Sequence, residues 1–238
     1  MKPYGFRRSL SDAVAGKAGF TLMEILVAMV ILSIIMGASY ASFRAIAGTD
    51  QALGPMLKNL EQGRMAMERL SKDFRAVWVS LPPSYRIPEL FDDTGDPFYF
   101  EAGEERVGSI MMPYVRLAAD SHLPFYGSSL RGIARIAYSI RERSDGSLAL
   151  FRSDHLHPYP DEDAELRFLV CEDVTVFELE FLDSDGRWHR GWDSQSRDYG
   201  YGTPRSVRIR LESGSGADKR RMETEVLIPV WRKAQEDL

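Results

Sequence analysis

The chain has 238 residues, of which 44% are hydrophobic, 27% charged and 11% aromatic; this excludes a disordered or low-complexity polymer and allows one sizeable domain or two small ones. With 30 basic against 35 acidic residues the formal net charge is −5, which argues against a general nucleic-acid binder. A single cysteine, Cys171, excludes an intramolecular disulfide and a cysteine-rich zinc site.

Charge and apolarity are unevenly spread. Residues Met1–Gly19 hold Lys2, Arg7, Arg8 and Lys17 against Asp12, a local net of +3, and without them 26 basic and 34 acidic residues leave −8. Phe20-Thr21-Leu22-Met23-Glu24 follows, and then Ile25–Phe43, nineteen residues without a charge. At about 1.5 Å per residue such a helix spans roughly 28 Å, close to the ~30 Å hydrocarbon core of a bilayer. The basic flank before it and the acidic mass after it place the N-terminus in the cytoplasm and the bulk outside. A secretory signal is the competing reading, because Ala45-Ile46-Ala47 offers a small-residue site for cleavage before Gly48. Against it, the apolar run exceeds the usual signal core of about 7–15 residues. Glu24 also sits in the first turn of the run, where an ionisable group implies a partner or a function. Blander roles for Glu24 are a place among the headgroups or a favourable contact with the helix dipole.

Past Arg44 the chain loosens through Ala47-Gly48-Thr49-Asp50, and Gly54-Pro55 would kink or restart the helix. Met56, Leu57, Leu60, Met67, Leu70, Phe74, Val77 and Trp78 then recur at helical spacing, predicting an amphipathic helix that Pro82-Pro83 ends. Its apolar stripe suits packing on the molecule's own sheet better than a partner surface. From about Phe98 the period changes to two. Ala134-Ile136-Tyr138-Ile140, Phe177-Leu179-Phe181, Val207-Ile209-Leu211 and Val226-Ile228-Val230 predict strands with one buried face. Asp145-Gly146 and Asp185-Gly186 predict hairpin turns, and Ser213-Gly214-Ser215-Gly216 a flexible hairpin loop. The fold class is α+β, a long N-terminal helix followed by antiparallel sheet.

Gly19-Phe20-Thr21-Leu22 with Glu24, ahead of an apolar helix, resembles the processing site of type IV prepilins and type II secretion pseudopilins. The resemblance implies a pilin-like fold, its long helix part membrane-spanning and part amphipathic, packed on an antiparallel β-sheet head. It divides the chain into a cleaved basic leader (1–19), a transmembrane assembly helix (20–46), an amphipathic helix (47–81) and a β-rich head (82–238). It further implies cleavage by prepilin peptidase between Gly19 and Phe20, N-methylation of Phe20, and a role for Glu24 in setting assembly register. Glu61-x-x-Arg64…Met67-x-x-Leu70-x-x-Asp73-Phe74, Gly186-Arg187-Trp188…Gly191-Trp192-Asp193 and Pro204-Arg205-Ser206-Val207-Arg208-Ile209 resemble stretches of the minor pseudopilin J family of type II secretion. A non-enzymatic subunit of the pseudopilus tip is thereby implied, anchored once in the inner membrane with its head in the periplasm. Its implied partners are the I and K minor pseudopilins and the major pseudopilin, with no nucleic acid. The alternatives are a minor pilin of a type IV pilus and, in another class, a membrane-anchored periplasmic enzyme or binding domain.

A search for chemistry finds no G-x-S-x-G elbow, no phosphate loop and no H-E-x-x-H helix. His155 and His157, with Asp154, Asp161, Glu162, Asp163 and Glu165 nearby, have the side chains to bind a divalent cation. Their Pro-punctuated segment lacks calcium-loop spacing and reads better as an acidic surface loop. Cys171, beside acidic residues, suits a small core position better than a reactive thiol. Trp188 and Trp192 suit core or edge packing. No cofactor and no metal are expected.

Overall fold

The computed structural model describes residues 19–87, 95–123, 131–159 and 167–235, with the side chains of 45–58 and of residue 217 outside that description. All of the leader except Gly19, and the acidic residues Asp161, Glu162, Asp163 and Glu165, lie outside the described residues. The chain divides into two compact units, Met1–Ala52 and Leu53–Leu238, within helix α1 (Leu22–Arg75).

In the first unit, Leu22–Arg44 forms a 23-residue stretch of mean hydropathy 2.3, none of it buried, long and apolar enough to cross a membrane. Leu22, Met23, Ile25, Leu26, Met29, Ile31, Ile34, Ile35 and Met36 all present their side chains outward. Such a surface is stable only in lipid or against other apolar helices. The Ser33 hydroxyl donates to the Met29 carbonyl at 2.8 Å, so its polar group is satisfied within the helix itself. The helical backbone continues through Gly54-Pro55, which therefore does not end it.

The second unit is the head. Among the described residues its two sheets comprise β1 (Glu101–Val107), β2 (Ile110–Ala119), β3 (Ala134–Glu142), β4 (Leu148–Leu156), β5 (Arg167–Cys171), β6 (Val174–Leu182), β7 (Trp188–His189), β8 (Trp192–Asp193), β9 (Ser206–Ser213) and β10 (Arg220–Leu227). One sheet has the order β5-β4-β3-β2-β1-β8 and the other β10-β9-β6-β7, with antiparallel pairing throughout. The period-two residues of β3, β6 and β9 are buried as expected, in one cluster with Ala66, Met67, Leu70 and Phe74 of α1. Phe100 links the layers, with its ring 6.4 Å from Phe74 and 5.4 Å edge-on from Phe181.

Some boundaries move. The amphipathic helix, expected to reach residue 81, ends at Arg75, and the reason lies in the sheet. Val77 forms a β-bridge with Ala119, with Trp78 N–H donating to the Ala118 carbonyl at 2.8 Å and Asp120 N–H to the Ala76 carbonyl at 2.9 Å. Bridging keeps Val77 buried and turns Trp78 outward. Likewise β10 stops at Leu227, so Val230 falls outside the strand and is exposed. The Ser213–Gly216 loop is ordered: Ser213 and Gly214 are buried, Gly214 N–H donates to the Asp173 carbonyl, and a 3-10 turn covers Gly216–Asp218.

Candidate assembly site and the buried clamps of the head

Gly19 and Phe20 precede the helix and are exposed, Phe20 at 78%. Thr21 caps the helix: its hydroxyl accepts from the Glu24 N–H at 3.3 Å, and its carbonyl accepts from the same N–H at 3.1 Å. Thr21-x-x-Glu24 is the spacing of a capping box, a local sequence cue for the helix start. The Glu24 side chain is exposed in the first turn, at the positive end of the helix dipole.

Deep in the head, the apolar stripe of α1 is interrupted by a carboxylate. Asp73 is fully buried between Leu70 and Phe74. It accepts from the Ser121 hydroxyl, the Tyr138 hydroxyl and Arg152 Nε, each at 2.7 Å, and pairs with Arg69 at 2.8 Å. Arg152 donates onward to Asp154 at 2.6 Å and to the Ser121 carbonyl at 3.3 Å. Asp154 also accepts from the Leu123 N–H at 2.8 Å and meets His122 Nδ1 at 2.6 Å. Burial alone would lower the Arg152 pKa, but Asp73 and Asp154 reverse this and hold the guanidinium charged. Burial pushes the Tyr138 phenol well up, reinforced by Asp73. For Asp154 burial pulls upward, and Arg152 with the His122 and Leu123 hydrogen bonds outweighs it, so the net direction is down. The Asp73, Tyr138, Arg152 and Asp154 side chains thus all have partners, as a buried network requires, and among the described residues Arg69 Nε is the atom of this network left without one.

A second clamp centres on Arg232, just beyond the last strand. Its guanidinium donates to the carbonyls of Ser80 (2.9 Å), Tyr201 (2.6 Å) and Ser194 (3.1 Å), pairs with Asp96 (3.0 Å) and lies 3.5 Å from the Tyr85 ring centroid. The Thr203 hydroxyl accepts from the Arg232 N–H, and Gly202 approaches so closely that an added Cβ would stand 2.9 Å from the Ala234 nitrogen. The segment after β10 is therefore fastened to the loop 194–203 and to the chain following α1. Nothing in the sequence pattern marked Arg232.

The outer face of the β10-β9-β6 sheet carries charge in rows. Glu180 and Glu225 flank Arg208 at 3.1 and 3.5 Å, and Arg210 binds Glu223 at 3.1 Å and also Glu178. Those neighbours stand in direct cross-strand register.

The remaining candidates separate. His155 lies on β4; the His157 ring packs against Tyr159 (5.1 Å) and Phe98 (5.5 Å); His122 and His189 pair with Asp154 and Asp183. No group of three or more potential metal ligands occurs among the described residues. Cys171 is buried, and burial pushes its thiol up, away from reactivity. Trp192 is buried and stacks on Tyr199 at 4.9 Å, while Trp188 lies under Arg208.

Two protein families match the chain. The one described as type II secretion system (T2SS), protein J, covers residues 41–223, and the one described as the prokaryotic N-terminal methylation motif covers residues 15–40. No curated protein matches it.

Proposed function

Since the chain belongs to the type II secretion system protein J family and is a minor pseudopilin of that system, we propose that it is cleaved between Gly19 and Phe20, methylated on Phe20, and assembled through its N-terminal helix at the pseudopilus tip. The observation that supports this most directly is the junction itself. Gly19 and Phe20 are exposed, non-helical backbone immediately ahead of a Thr21-capped, wholly unburied apolar helix. A peptidase needs extended backbone, and cleavage here spares the cap. Phe20 then becomes an ammonium-bearing end, and on this reading Glu24 pairs with the ammonium of an adjacent subunit in a low-dielectric setting, where opposite charges attract strongly.

On this reading the helix anchors the protein once in the inner membrane, with the leader cytoplasmic before processing and the head periplasmic. Its partners are prepilin peptidase, the I and K minor pseudopilins and the major pseudopilin, and its part in export is structural and non-enzymatic. The deciding experiment is the mass of the N-terminal peptide of protein isolated from its own membranes. Methylated Phe20 at the start supports the reading; a start at Gly48 or an intact leader overturns it.

A further inference from the structure

The sheet containing β6 is incomplete on one side. Pairing of β6 with β7 is confined to Phe181↔His189 and Leu182↔Trp188, so among the described residues no strand lies against Val174–Glu180 on the edge opposite β9. An open groove of about 350 Å³ is lined by Thr175–Glu180 and by Glu104, Met111, Met112 and Pro113, with Arg190 and Arg210 also at its margin beside the three glutamates. Met111 is 52% exposed, a large flexible apolar side chain left in water.

Charge rows say what belongs there. Glu223 and Glu225 on β10 face Arg210 and Arg208 on β9, which face Glu178 and Glu180 on β6. The signs alternate from strand to strand and stop, at the open edge, on a negative row. A second copy pairing through its own β6 would set glutamates against glutamates, which cross-strand geometry penalises.

We propose that the open edge of β6 receives an extended strand from a different subunit of the assembly, with basic residues at alternate positions facing Glu178 and Glu180 and apolar residues packing on Met111. Backbone hydrogen bonds to β6 supply affinity, and the alternating side chains supply specificity. The inference rests on the minor-pseudopilin reading and adds to it the place and chemistry of one contact.

Hydrogen exchange of the full-length chain, alone and in the assembly isolated from its host membranes, tests it. Outward-facing amides within 175–180 exchange at least tenfold more slowly in the assembly. A photo-crosslinker at Thr175 captures a peptide of another pilin-like subunit with basic residues at alternate positions. The E178Q/E180Q variant cuts that capture at least fivefold, and M111E does so by a separate route, with M111L restoring it. Should E178Q/E180Q fail to fold, the exchange measurement and M111E still decide. Unchanged exchange in an assembly that contains other subunits overturns this inference alone, as does capture of a second copy or of an exported protein. Absence of any co-isolating subunit overturns it together with the reading beneath it.

Discussion

Asp73 and Arg152, 79 residues apart in the chain, meet at 2.7 Å with both side chains buried. One belongs to α1 and the other to β4, one strand in from the edge of the larger sheet, so this ion pair ties the helix to the sheet. Its worth lies in what surrounds it, because the Tyr138, Ser121, Arg69 and Asp154 side chains all take part in the same network.

Asp73→Ala leaves the Tyr138 hydroxyl without its acceptor and Arg152 with Asp154 as its remaining carboxylate partner. The expected loss is about 3 kcal/mol, the low end for breaking a buried pair, because Asp154 still compensates the Arg152 charge. Denaturant unfolding of the detergent-solubilised protein measures it.

Stability should also follow pH through Asp154. Its ordinary pKa is 3.8, and Arg152 with its hydrogen-bonding neighbours holds it lower in the folded protein. The unfolded chain therefore takes up this proton first on acidification. The stability contributed is present above about pH 4 and lost as pH falls through the folded value. Unfolding free energy measured from pH 6 down to pH 2 should drop less steeply for Asp154→Asn than for the parent, from a lower starting point.

Arg232→Lys keeps the charge but cannot reach the Ser80, Tyr201 and Ser194 carbonyls in the same fork. A loss of about 2–4 kcal/mol is expected, as for truncating one partner of a buried hydrogen-bonded pair. Gly202→Ala should cost about 1–3 kcal/mol by overpacking against Ala234. Thermal unfolding reads both, with proteolysis expected to begin near the chain's C-terminal segment in each variant.

At the other end of α1, Glu24→Ala should leave insertion and cleavage intact while abolishing co-isolation with other pseudopilins. Thr21→Ala should only fray the first turn, at about 1 kcal/mol. Membrane fractionation, N-terminal mass and affinity isolation of the two variants side by side separate register from capping. Normal partner recovery with Glu24→Ala would remove the proposed role.

Much of the fold was legible because burial and period coincide. Ile136, Tyr138, Phe177, Leu179, Val207 and Ile209 alternate in sequence and all point into the core. The helix end was not legible, because what stops it at Arg75 is a bridge to Ala119, over forty positions away. Asp73 left a trace as a charge inside an apolar stripe, but its meaning depends on Arg152 and Tyr138, which no local pattern brings near. Arg232 left none: its acceptors are mostly backbone carbonyls, and any residue has one of those. Thr21 is legible locally, because its capping-box spacing to Glu24 needs no distant partner.

The clamp at Asp73 has a mechanical side. In the proposed assembly a subunit drawn from a bilayer into a fibre bears load along α1, and within the head α1 is held through Ala66–Phe74. Apolar contacts such as those of Leu70 and Phe74 yield gradually, each atom pair holding only about 0.1–0.2 kcal/mol. Short, directional bonds to a buried carboxylate behave otherwise: they stay stiff over small displacements and then give way together. The head is thereby fitted with a catch that resists tugging from the membrane side, set where traction first arrives.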